Sequence, residues 1–281
     1  MSLSQIAQEH GLHRVGARPP LFRYLSEVWR RRAFVVTMAR YRLRSTFEQN
    51  RLGIVWVVLR PLINALIYGL IFGVLQGGAR PPDYPAYVVV GVFFYGFFGG
   101  CLNDGAKAIT RNRSLVQSLA FPRITLPFSI VVENLLSFLA TLVVLVPILA
   151  FFGHYPKLEW LWLVPLVALF VLFNTGIALV AARLTVHVTD LTQLLPFISR
   201  LLFYTSGVLF AVDRILDKHP AIMRAYDFHP IYQVLRIARY HTIGGNPYPE
   251  QYWWLLTGFA TFMLVFGVLF FWVAEERYGR E

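Results

Sequence analysis

One run of residues, 49–75 (QNRLGIVWVVLRPLINALIYGLIFGVL), already commits this chain to a bilayer. A basic, polar stretch stops at Arg51, and from Leu52 the chain is apolar for 24 residues, interrupted by one charge, Arg60. At 1.5 Å rise per residue, such a helix spans a hydrocarbon core of about 30 Å. A charge inside a span costs roughly 2.5–3.5 kcal/mol on insertion scales, so Arg60 is expected to face protein or water rather than lipid. Pro61 follows it directly, and Gly69, Gly73 and Gly77 repeat every fourth residue. That spacing permits close helix contact.

Five further apolar runs follow, at roughly 85–103, 126–152, 160–182, 195–212 and 252–274. The expected fold is therefore an all-α membrane protein with six transmembrane helices. Six crossings put both termini on one side, and loop charges choose that side. Segments 1–51, 104–125, 183–194 and 275–281 carry 17 Lys or Arg, against 7 in 77–84, 153–159 and 213–251. Both termini are thus expected in the cytoplasm. The net charge of +11 collects at the ends of spans, so topology explains it better than nucleic-acid binding does. The first 50 residues hold no apolar core before a small-residue cleavage site, so the first span is expected to act as the insertion signal.

The remaining segments divide as follows. Residues 1–20 read as a flexible tail ending in Arg18-Pro19-Pro20, and 275–281 as a short cytoplasmic one. In 21–50, Leu21, Leu25, Val28, Trp29, Val36 and Leu43 recur at helical offsets, with Arg30, Arg31, Arg32, Arg40, Arg42 and Arg44 among them. This predicts a basic amphipathic helix lying in the membrane surface. Residues 51–274 form the six-span domain, with an inner loop at 104–125. The stretch 213–251 carries four prolines and two adjacent glycines, too apolar for a solvated loop and too broken for a span. Short re-entrant or interfacial helices fit it best.

Catalytic signatures are absent. No Gly-x-x-x-x-Gly-Lys-Ser/Thr, His-Glu-x-x-His or Gly-x-Ser-x-Gly occurs. Cys101 is the single cysteine, which rules out an internal disulfide and leaves a buried thiol. His187 and Asp190 lie three apart and are the one acid–base pair to weigh, in a loop where solvated polar groups are ordinary. No catalytic, cofactor-binding or metal-ligating residue is assigned. The inner loop, DGAKAITRNRSLVQSLAFPRIT, mixes basic residues with apolar ones, a composition suited to docking a partner. Phe93, Phe94, Tyr95, Phe97 and Phe98 crowd six positions of the second span; with Trp56, Tyr68 and Tyr204 they are candidates to line a passage on whose rings sugar faces stack. Glu133, inside the third span, is the candidate charge partner of Arg60.

At this point the residues resemble a known family. RLGIVWVVLRPLINALIYGLIF is similar to the first span of ABC-2 type polysaccharide-export permeases, the O-antigen and teichoic-acid exporters, through Leu52, Gly53, Trp56, Pro61 and Leu62. Asn112, Leu115, Val116, Phe121 and Pro122 match their inner-loop pattern, while His229-Pro230 stands where they commonly have Asn-Pro. The arginine bias adds a likeness to actinobacterial exporters of lipid-linked galactan. The resemblance implies a permease that pairs with a second copy of itself and two copies of a separate cytoplasmic ATPase. It implies ATP and Mg on that ATPase, no cofactor in this chain, and a polyprenyl-linked glycan as substrate in the bacterial inner membrane. Asn112, Leu115, Val116, Leu119, Phe121 and Pro122 would then couple to the ATPase, and Arg44, Arg51 and Arg60 would guide a lipid pyrophosphate headgroup. Drug or lipid efflux on the same architecture, a membrane-bound enzyme of glycan assembly, and an ion-coupled carrier are the rival readings.

Overall fold

The computed structural model describes residues 19–48, 51–77, 80–119, 121–215, 219–245 and 247–275. The expected tail at 1–20 and the end of 275–281 lie almost wholly outside these residues. Every regular element among the described residues is helical. The surface segment forms two helices, α1 (Leu21–Arg30) and α2 (Arg32–Glu48), parted at Arg31, where the amide donates back to Glu27 and Val28. The apolar run beginning at Leu52 enters α3 (Trp56–Leu75) through a 3-10 turn. Then come α4 (Tyr84–Ala106), the short α5 (Arg113–Ser118), α6 (Thr125–Phe151) and α7 (Leu163–His187). The remainder is α8 (Leu191–Thr205), α9 (Val212–Ile215), α10 (Pro220–Asp227), α11 (Pro230–Ile243) and α12 (Gln251–Val273).

Among the described residues, five helices are long and apolar enough to cross a membrane: α3, α4, α6, α7 with the turn before it, and α12. The fifth expected run, 195–212, behaves differently. Its helix starts at Leu191 and stops at Thr205, so its 15 residues rise only about 22 Å. Hydrogen bonds show where the chain goes nonetheless. Thr185, near the end of α7, donates to the carbonyl of Ala106 at one end of the bundle. Residues 207–210 accept from Tyr87 and Gln76 at the other. The chain therefore traverses the bundle through α8 and the bend that follows it. That bend needs Gly207, whose φ is +74° and where an added Cβ would lie 2.9 Å from Val212.

α4 is the central helix, buried on nearly every side against α3, α6, α7, α8 and α11. α7 and α12 approach most closely at Gly176 and Gly267, where a Cβ on either would clash with the facing backbone. This backbone contact lets two spans pack without a water-driven force between them. By contrast Gly69 and Gly77 have nothing near them, and α3 leaves Leu66, Leu70 and Val74 exposed. Among the described residues, the glycine ladder thus makes no helix contact beyond Gly73 against Tyr84.

The two termini of the described chain meet at one end. The Tyr24 hydroxyl donates to Glu275 at 2.6 Å, and the Arg123 amide donates to the other carboxylate oxygen at 2.9 Å. The Arg123 guanidinium donates to the Glu275 carbonyl at 2.6 Å, and the Trp272 indole to the Pro19 carbonyl at 2.9 Å. Burial pushes the Glu275 carboxyl above its ordinary value, opposed by the bonds from Tyr24 and Arg123. One carboxylate thus ties α1, the inner loop and the end of α12 together.

At the opposite end, 213–251 folds into the short helices α9, α10 and α11. His229 takes an asparagine-like role: its Nδ1 accepts from the Tyr232 amide at 3.2 Å and caps α11. Burial lowers the imidazole below its ordinary 6.5, which keeps Nδ1 free to accept. A depressed folded-state value contributes stability above pH 6.5 that is lost as pH falls through the folded value. His229→Asn is expected to unfold within a degree or two of the wild type. His229→Ala is expected to lose about 1 kcal/mol, and both variants should show a smaller acid-dependent drop between pH 7 and 5 than the wild type, the remainder coming from His241, whose imidazole burial also lowers. Thermal unfolding in detergent across that range checks all three.

Candidate functional site

A cavity of about 390 Å3 opens between α3, α4 and α6, in the half of the bundle where the termini meet, and extends past its middle. Its walls follow from helical spacing. Trp56, Arg60 and Asn64 recur every fourth residue and share one face of α3; Glu133, Ser137 and Thr141 do the same on α6. Phe93, Gly96 and Phe97 face them from α4, with Asp104 below and Leu43 of α2 beside it. Phe97 stacks on Phe138 with centroids 5.0 Å apart, and Phe94 meets Phe138 edge-on at 5.0 Å. This holds the aromatic wall rigid.

Charge is distributed along the cavity. The Arg60 guanidinium lies 6.0 Å from the centroid of the Trp56 ring, within cation–π range. Towards the terminal end, Asp104 is paired with Arg111 at 3.8 Å and supported by the Asn134 side chain. Arg42, Asp104 and Arg111 are among the charges that act on Glu133. Arg42 donates to the Asn112 side chain at 3.0 Å, joining the surface helix to the inner loop. Burial holds the Arg42 guanidinium below its ordinary value, with Glu133 pulling the other way.

The candidate residues therefore fall into groups. Trp56, Arg60, Phe93, Phe97 and Glu133 come together on the cavity. Phe94, Tyr95 and Phe98 are buried in the core instead; Tyr95 donates to the Ser199 carbonyl, and Phe98 stacks on Phe173. α4 is buried on nearly every side, so five large rings within six positions cannot all face one passage. Tyr68 packs on Phe203 at 5.0 Å, and Tyr204 lies partly exposed beside Phe72. Arg44 and Arg51 are exposed at the terminal end, outside the cavity lining.

The inner loop is organised from within. Val116 is buried, and Leu115 and Phe121 pack with Tyr24, Ile109 and Phe271 into a small apolar cluster. Pro122 is buried, and its carbonyl accepts from Thr125. Of the apolar residues expected to face a partner, Leu119 is exposed, at 55%. The loop's outward face is otherwise polar: Arg111, Arg113, Ser114 and Gln117. Burying the cluster against α1 costs nothing in exposed apolar surface, which is why the loop folds this way even without a partner.

Several site residues were not singled out in the sequence: Asn64, Asp104, Asn134, Ser137 and Arg42. The signal was present as four-residue spacing of polar groups within apolar runs. Asn64 stands one turn beyond Arg60, and Ser137 one turn beyond Glu133. Gly100 has its own reason, since a Cβ there would lie 2.0 Å from the Asn134 amide oxygen.

Comparison with known proteins adds an independent line. The family model described as ABC-2 type transporter matches residues 33–243. An O-antigen export system permease protein RfbA from Klebsiella pneumoniae is 30% identical over 177 residues, covering 63% of this chain and 68% of that protein. An RfbA from Myxococcus xanthus is 27% identical over 199 residues, 70% of this chain and 76% of that protein. The polysialic acid transport protein KpsM of Escherichia coli is 23% identical over the same coverage.

Proposed function

This chain belongs to the ABC-2 type transporter family, and from that premise we propose that it is the permease subunit of a polysaccharide exporter, supplying the route while a separate ATPase supplies the energy. The observation that carries this reading is the cavity: one guanidinium, stacked aromatic faces and a ladder of small polar groups converge along a single passage-shaped wall. Aromatic faces give sugars weak contacts that let a polymer slide. A planar guanidinium suits the phosphate oxygens of a lipid carrier, binding two at once. The substrate on this reading is a lipid-linked glycan, led by its headgroup past Arg60. The relatives above are named for O-antigen export and polysialic acid transport, which supports a glycan as the substrate class.

The chain is a multi-pass protein of the inner membrane, and the positive-inside count supports a cytoplasmic position for both termini. The exposed apolar face of α3 and its uncontacted Gly69 support a second copy docking there, which would close the open side of the cavity. The polar face of the inner loop and the underside of α1 would rest on two ATPase subunits. ATP and Mg belong to those subunits, because this sequence carries no phosphate-cradling loop.

The test is reconstitution. Vesicles holding this chain with its ATPase are expected to move lipid-linked polysaccharide only when ATP is supplied on the ATPase side. Vesicles holding this chain alone are expected to move none. Export by the chain alone, driven by an ion gradient, would overturn the reading.

A further inference from the structure

A second cavity, of about 130 Å3, lies at the opposite end of the bundle from the termini. It is walled by Pro81, Pro82 and Asp83 ahead of α4, by the start of α9, and by α11 with Gly244 and Gly245. Three guanidinium groups and two carboxylates line it: Arg214, Arg236 and Arg239 against Asp83 and Asp213. Its charge is therefore net positive by one.

The three arginines are held differently. Arg239 is only 2% exposed, lies 3.4 Å over the Tyr87 ring, and donates to the carbonyls of Tyr87, Gly207 and Val208 at 3.3, 2.8 and 2.7 Å. Among the described residues no carboxylate lies within ion-pair distance of it. Arg236 pairs with Asp213 at 2.8 Å, yet its Nε is buried without a partner. Arg214 is exposed and tethered to the Arg80 carbonyl at 3.1 Å. Asp83, the other carboxylate, is turned to His154 at 3.3 Å.

A buried guanidinium facing only neutral partners leaves a charge that carbonyl dipoles offset in part, and a buried N–H without an acceptor adds to the cost. An oxyanion entering the cavity would relieve the first of these penalties. It would neutralise the excess charge and meet the N–H groups of Arg214 left over from its tether. Guanidinium groups are the side chains best shaped for such oxygens.

We propose that this cavity is a phosphate-binding site, taking either free inorganic phosphate or the phosphate of an anionic lipid headgroup. The binding test does not depend on whether the chain exports glycans. The full chain is placed in nanodiscs of neutral phosphatidylcholine, and its thermal midpoint is followed against inorganic phosphate, with chloride keeping the ionic strength constant. A saturable rise is expected.

Arg214→Glu, on an exposed side chain, is expected to weaken the apparent affinity at least tenfold with the fold retained. Arg236→Lys keeps the charge but loses the fork, and should weaken it less. Arg224→Glu, exposed at the same end but outside the cavity, should leave it within twofold. A second arm replaces the lipid with phosphatidylglycerol. If that suppresses the phosphate response in the wild type, the headgroup is the occupant; if the response persists, free phosphate is. No saturable rise in phosphatidylcholine, or an equal response in Arg214→Glu, would overturn the proposal.

Discussion

Polysaccharide export by Arg60→Ala is expected to fall tenfold to a hundredfold, while the yield of assembled complex stays within twofold of the wild type. Arg60 is exposed on its own chain and faces the open side of the cavity, so its removal costs little folding energy. What it loses is a charge-assisted hydrogen bond to a passing phosphate, worth about 1.5–3 kcal/mol, and each 1.4 kcal/mol is a factor of ten. Arg60→Lys keeps the charge without the fork and should fall between the two. The measurement is export rate per mole of purified complex, beside the complex yield. Wild-type export by the alanine variant would remove Arg60 from the account. A collapse in yield would instead make it a structural residue.

The largest effect on folding is expected at Glu275. Its side chain is buried, at 5% exposure, and accepts from Tyr24 and from the Arg123 amide. Replacing it by alanine strips acceptors from two buried donors and leaves the Arg123 guanidinium, 4.0 Å away, without its carboxylate. Removing one partner of a buried pair typically costs about 3–5 kcal/mol. That corresponds to a lowering of the thermal midpoint by on the order of 10 °C. Tyr24→Phe leaves the carboxylate one donor short and should cost about 1–3 kcal/mol. Both changes loosen α1 from the inner loop, so ATP hydrolysis by the complex should become less dependent on substrate. Thermal unfolding and substrate-stimulated ATPase activity check the pair. An unshifted midpoint for Glu275→Ala would mean that the three elements are held by other contacts.

Length and hydropathy made most of this fold legible in the sequence. The long spans are runs of twenty or more apolar residues, and no other solution buries their backbone in lipid. The short α8 was harder to read, because its crossing is completed by an irregular bend. Apolar residues continue through Ser206 and Gly207, so hydropathy sees one run where the backbone changes course. The break of the surface segment at Arg31 was equally silent, since arginine is a good helix former.

The site was half legible. Arg60 and Glu133 announce themselves as charges inside spans. The aromatic cluster on α4 did not reveal which rings face the cavity, because periodicity assigns a face only when another face is polar. α4 has none: it is the buried centre, so most of its rings pack and Phe93 and Phe97 alone reach the cavity lining. The Glu275 tie and the buried Arg239 depend on contacts between residues more than a hundred positions apart, or on carbonyls freed by a bend. Neither leaves a mark in local spacing.

The most direct measurement places a photoreactive amino acid at Ser137, on the cavity wall, and at Val164, on the exposed outer side of α7. The complex is illuminated during ATP-driven export. Crosslinking of polysaccharide at Ser137, dependent on ATP and lacking at Val164, is the predicted result. Polysaccharide captured at Val164 but not at Ser137 while export proceeds would show that the sugar chain takes another path.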